Sequence, residues 1–143
     1  MRKSALSLAA LPLLAGGLLV TASTAFAAEK LTGEQQLAKK LEGRVAGKPV
    51  SCIPLHDTET MEVIDKTAIV FGWGNTLYVN RPRNAADLDS DNVLVHKSSV
   101  GEWCNVDIVT AHTRPEMWFH GTVSLGEFVP YTKVKPPAVK ASR

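Results

Sequence analysis

The string Asp87-Leu88-Asp89-Ser90-Asp91-Asn92 carries carboxylates at its first, third and fifth positions. Carboxylates so spaced open a calcium-binding loop, and Leu94 supplies the apolar eighth position. The remainder departs from that pattern. Asn92 stands where the loop needs a glycine, and Ser98 stands where a bidentate glutamate closes the site. Calcium at Asp87, Asp89 and Asp91 is therefore expected to bind weakly at most. The string reads first as a turn whose Asx side chains bond their own backbone.

The four histidines are His56, His96, His112 and His120. A zinc site needs three or four converging ligands, and no two histidines have the close spacing that shares a helix face. They read as scattered surface residues. Adjacency in sequence, as in His56-Asp57, is not how a catalytic pair is recognised. A small hydrolase using His56, Asp57 or His112 is the enzymatic alternative. No serine sits in a Gly-x-Ser-x-Gly elbow, and Gly72-Trp73-Gly74 lacks the third glycine of a dinucleotide loop. No cofactor is called for. Trp73 in a turn, Trp103 beside Cys104 and Trp118 beside Phe119 are the ligand-contact candidates, although tryptophan more often covers a sheet edge or core.

Cys52 and Cys104 are the two cysteines, and the N-terminus bears on their use. Arg2-Lys3, an apolar stretch from Ala5 to Val20 and the small-x-small exit Ala25-Phe26-Ala27 form, in order, a secretory leader. Residues 1–27 are expected to be removed and the product to be periplasmic or extracellular. Outside the reducing cytoplasm a lone cysteine pair forms a disulfide, and closing a loop of this length contributes about 4 kcal/mol at most. No Cys-x-x-Cys arrangement points to a redox-active thiol.

Loss of the leader removes two of the 16 basic residues and leaves 14 against 14 acidic ones. The remaining charge is uneven. Between residues 49 and 132 there are eleven acidic and five basic residues, whereas Lys133, Lys135, Lys140 and Arg143 follow with no acid. An acidic body gives no support to nucleic-acid binding. The basic end reads as a disordered tail, residues 133–143.

The elements that must position these residues follow from capping, periodicity and alternation. Thr32 with Gln35 three residues on is a capping box, and Leu37, Ala38 and Leu41 recur at helical spacing, which predicts one helix over 33–43. Residues 43–49 read as a loop, so that 28–48 is helix and linker and 49–132 a β-rich domain. Strands are expected over Val50 to Leu55, Val63-Ile64, Thr67 to Phe71, Thr76 to Asn80, Val93 to His96, Cys104 to Thr110, and once or twice between Gly121 and Tyr131. The runs flanking Gly72-Trp73-Gly74-Asn75 make a hairpin. Alternation from Cys104 turns Val106 and Ile108 to the same face, which predicts an inward Cys104 and Cys52 and an outward Trp103. The fold class is mainly β: a small antiparallel domain, barrel-like or a curled sheet, preceded by one short N-terminal helix.

The stretches Gly47-Lys48-Pro49-Val50-Ser51-Cys52-Ile53-Pro54-Leu55 and Ile64-Asp65-Lys66-Thr67-Ala68-Ile69-Val70 resemble a family of small secreted proteobacterial proteins of unknown function. Asn75 to Arg83, Trp103-Cys104-Asn105-Val106-Asp107 and Val123 to Tyr131 extend the resemblance over about residues 40–132. It implies export, a single domain and the Cys52–Cys104 bond, and it carries no catalytic residues. The functional expectation is a non-catalytic binding or accessory module of the cell envelope. Its partner would be an envelope protein or a small ligand. No membrane-spanning segment is expected once the leader is removed. Intact-mass measurement of the exported protein should give a chain beginning at Ala28; a membrane-held species retaining Met1 would overturn the leader.

Overall fold

The computed structural model describes residues 30–97 and 101–134. The expected leader, its cleavage site and residues 135–143 of the basic tail lie outside the described residues. Among the described residues the architecture is mainly β, with one α-helix and ten antiparallel strands in three sheets.

Helix α1 spans Gly33–Lys40, and its capping box is formed: Thr32 Oγ1 accepts the Gln35 N–H and Gln35 Oε1 accepts the Thr32 N–H. The helix stops short of residue 43 because the chain turns at Leu41 and reaches Gly43, whose φ of 71° suits glycine. The expected loop then contains a short strand, β1 (Arg44–Ala46). Its partner is the distant β10 (Phe128–Lys133), so local sequence carries little sign of it.

The main sheet joins β1, β10, β5 (Thr76–Asn80), β4 (Ala68–Phe71) and β3 (Met61–Ile64), in that order. The β4–β5 hairpin is the one expected from the glycine-bearing turn. All four β4 residues are buried because both faces of this sheet are covered. Ala68 and Val70 join Ile64, Leu77 and Val79 beneath Leu37 of the helix. Ile69 and Phe71 join the other core layer, under two smaller sheets. A ribbon pairs β2 (Cys52–Pro54) with β7 (Glu102–Cys104), and a three-stranded sheet places β8 (Ile108–His112) between β6 (Val93–His96) and β9 (Phe119–Ser124). Among the described residues no sheet closes into a barrel.

The inward–outward reading of the cysteine strand is corrected. Residues 104–110 are not one strand: β7 ends at Cys104, and the Asp107 N–H bonds the Cys104 carbonyl across a turn before β8 begins. The parity survives the turn: Trp103, Val109 and Ala111 are buried, while Cys104 shares the other side with Val106 and Ile108, which are 82% and 71% exposed. Ile53 and Trp103 take the inward side of the ribbon, so the half-buried Cys52 and Cys104 lie on its outward side.

The two cysteines form the disulfide and are directly opposed. The Asn105 N–H bonds the Ser51 carbonyl at 2.8 Å and the Leu55 N–H bonds the Gly101 carbonyl at 3.0 Å. These bonds flank Cys52–Cys104 and Pro54–Glu102, making both non-hydrogen-bonded pairs, the positions where opposed residues approach most closely. The Cα separation is 4.0 Å, shorter than the expected range of about 4.4–6.8 Å. Pro54 loses no ladder bond there.

Two asparagines fasten β9 and the chain that follows it. Asn80 is fully buried; its Nδ2 donates to the Gly126 carbonyl at 2.6 Å and its Oδ1 accepts the Gly126 N–H at 3.0 Å. Gly126 packs so closely that an added Cβ would lie 2.5 Å from the Arg81 carbonyl oxygen. Asn84 repeats the device on β9, accepting the Ser124 N–H and donating to the Thr122 carbonyl. At the surface Arg81 makes a two-pronged ion pair with Glu34, and its hydrogen bond holds the Glu34 carboxyl below the ordinary value of 4.5. Asn80→Ala should cost about 2–4 kcal/mol, since it strands both backbone groups of Gly126, whereas Glu34→Gln should cost less than about 1 kcal/mol because that pair is solvated. Urea denaturation checks both; equal midpoint shifts would remove the distinction.

Candidate functional site

The β8–β9 connection presents Met117, Trp118 and Phe119 side by side in sequence, 46%, 72% and 64% exposed. Their backbone is tied down. The Met117 N–H bonds the Thr113 carbonyl and the Thr113 N–H bonds the Trp118 carbonyl, both at 2.9 Å. His112 closes the arrangement: Nδ1 lies 3.1 Å from the Met117 carbonyl, and Nε2 lies 3.0 Å from Thr110 Oγ1. A carbonyl only accepts, so Nδ1 carries a proton, while Nε2 meets a threonine hydroxyl that also lies 3.3 Å from the Val95 carbonyl. The imidazole also meets the Phe119 ring edge-on, with centroids 6.0 Å apart. Met117 holds φ at 59°, a left-handed conformation that costs a side-chain-bearing residue energy. Three large apolar side chains are thus held in water on a fixed, locally strained loop.

Behind this tip lie three adjoining open depressions of about 340, 330 and 420 Å³, all lined by His120. The first two include Asp87, and Asp89 lines the first and third. The aspartates are engaged locally. Asp89 Oδ1 accepts the Asp91 N–H at 2.8 Å, an Asx turn, and Asp87 Oδ2 accepts from Asn84 Nδ2 at 3.2 Å. Asp65 Oδ1 accepts the Ser90 N–H at 2.7 Å, and that bond lowers the Asp65 carboxyl from 3.8. Among the described residues, Asp87, Asp89 and Asp91 do not draw together as a three-carboxylate set.

The other candidates lie apart. His56 and Asp57 sit on a one-turn 3-10 helix, Leu55–Thr58, with their side chains 3.3 Å apart. Burial first, and the Asp57 carboxylate second, raise the Tyr78 phenol above 10.0. Neither His56, Asp57 nor His112 lines the depressions around His120. The tryptophans divide: Trp73 is 75% exposed on the hairpin turn and Trp118 stands at the tip, while Trp103 is core.

The expectation of surface histidines fails at His96, whose side chain is 2% exposed. Its Nε2 donates to Asp107 Oδ2 at 2.9 Å, and the same oxygen accepts the Cys104 N–H at 2.7 Å. The imidazole lies against Trp103, with centroids 4.2 Å apart. The buried imidazole and the half-buried carboxylate together hold the indole and the end of β7 in place. Nothing in the sequence marks it, because the turn at residues 105–106 brings Asp107 back to a strand eleven residues earlier.

Comparison of the chain with protein-family models, curated proteins and solved structures found no match. His112→Ala should free the tip, raising hydrogen exchange at the Thr113 and Met117 amides about tenfold. Global stability should fall by about 1–2 kcal/mol. Unchanged protection at both amides would show that His112 does not pin the loop.

Proposed function

We propose that this chain is an exported, non-catalytic binding or accessory module of the cell envelope, allied to the secreted two-cysteine family its sequence resembles. The carrying observation is the exposed run Met117-Trp118-Phe119 on a loop fixed by His112. Contiguous exposed apolar side chains mark contact surfaces, and a preset loop loses less entropy on binding. Tryptophan is the residue type that most often dominates such contacts. The disulfide is consistent with an oxidising compartment. Among the described residues no helix is long and apolar enough to cross a membrane. The leader-like N-terminus supports export.

The hydrolase alternative has no comparable support, since the His112 nitrogens are engaged by Met117 and Thr110, and His56 is exposed beside an Asp57 that also serves Tyr78. Crosslinking capture from envelope extract, run in parallel on the wild type and Trp118→Ser, tests the reading. The wild type should retain a stoichiometric partner, and the variant should lose it by about tenfold or more. Equal capture by both, or by neither, would overturn the tip as a binding surface.

A further inference from the structure

The outward side of the β2–β7 ribbon carries a second constellation, independent of the binding tip. Alternation along β7 puts Glu102 on the same side as Cys104, and the register sets Cys52 opposite Cys104. This side faces away from the core, because Ile53 and Trp103 occupy the other. The two sulfurs and a Glu102 carboxylate oxygen lie within 4.8 Å of one another. The cysteines are half-buried and Glu102 is exposed, so the group is open to solvent. Two thiolates and a carboxylate are zinc ligands, and three protein donors leave a fourth position for water. In the disulfide the sulfurs carry no charge, so the set is silent while oxidised.

We propose that reduction of the Cys52–Cys104 disulfide turns this face into a zinc site. Its ligands are Cys52 Sγ, Cys104 Sγ, one Glu102 carboxylate oxygen and a water. The reductant is a dithiol. One of its thiolates attacks a protein sulfur to form a mixed disulfide, and its second thiolate then displaces that sulfur. The dithiol leaves as a disulfide and both cysteines are left as thiols. Zinc binding releases one proton from each thiol and leaves the thiolate, carboxylate and metal charges at minus one in sum.

The backbone suits both states. Two thiolates on a tetrahedral zinc stand about 3.8 Å apart at a Zn–S distance of about 2.3 Å. Opposed cysteines with Cα atoms 4.0 Å apart reach that spacing by side-chain rotation. The ladder bonds from Asn105 and Leu55 and the Asp107 bond to the Cys104 N–H hold the ribbon without the sulfur link.

The test uses the full chain reduced with a phosphine, which does not compete for the metal as a dithiol does. Cobalt(II) serves as the spectroscopic probe and zinc as the competitor. One equivalent of cobalt should give a thiolate-to-metal charge-transfer band that one equivalent of zinc removes. The oxidised protein and the Cys52→Ser/Cys104→Ser double variant should give no band. Glu102→Gln should weaken binding at least tenfold, while far-UV circular dichroism and the buried Trp103 emission stay native. Three results would each overturn the site: no band in the reduced chain, undiminished binding in Glu102→Gln, or loss of the sheet signal on reduction.

Discussion

Trp103 is the side chain on which the three sheets converge. Its indole meets Phe71 of the main sheet edge-on, with centroids 5.3 Å apart, and its other neighbour is His96 of the three-stranded sheet. Phe71 in turn meets Phe128 at 5.7 Å, which brings β10 into the same cluster. Edge-to-face pairs add about 0.5–1.5 kcal/mol each beyond the area they bury. Their larger effect is geometric: with Trp103 inward, alternation decides the direction of every neighbour on the ribbon. The cysteines and Glu102 face water because Trp103 does not.

The sheets are small, and backbone pairing alone does not join one to another. Side chains complete the ladders across the gaps. Asn80 offers a donor and an acceptor to Gly126 in the β9–β10 connection, and Asn84 does the same to β9, satisfying polar groups that burial would otherwise strand. Asp107 does the same for the end of β7 while orienting His96. These amide and carboxylate clamps are partly or wholly enclosed, in contrast to the exposed Glu34–Arg81 and Lys40–Glu62 pairs that tie the helix to the sheet rim. The scaffold is therefore braced behind the β8–β9 tip, and a braced scaffold is what keeps Met117, Trp118 and Phe119 from collapsing onto it.

Local chemistry was legible in the sequence wherever it is local in the fold. The Thr32–Gln35 box, the glycine-bearing turn of the β4–β5 hairpin and the antiparallel β class all rest on residues a few positions apart. The disulfide was legible too, because a leader-like N-terminus and a lone cysteine pair point to that chemistry before geometry enters. The Asx turn at Asp89 belongs to the same group. Exposure of Trp73 and Trp118 was an open alternative that tertiary packing decided.

What the sequence by itself determined, then, is composition of the elements: one capped helix, short alternating strands, and a bond between Cys52 and Cys104. Tertiary structure alone decided which way they face. The buried positions keep one parity through the turn at residues 105–106, from Trp103 to Val109 and Ala111, so Cys104, Val106 and Ile108 share the outward side. Trp103 is core because Phe71 and His96 pack against it, and the turn itself returns Asp107 to His96. Strand periodicity records only that neighbours alternate; which alternate is inward depends on sheets that the rest of the chain supplies.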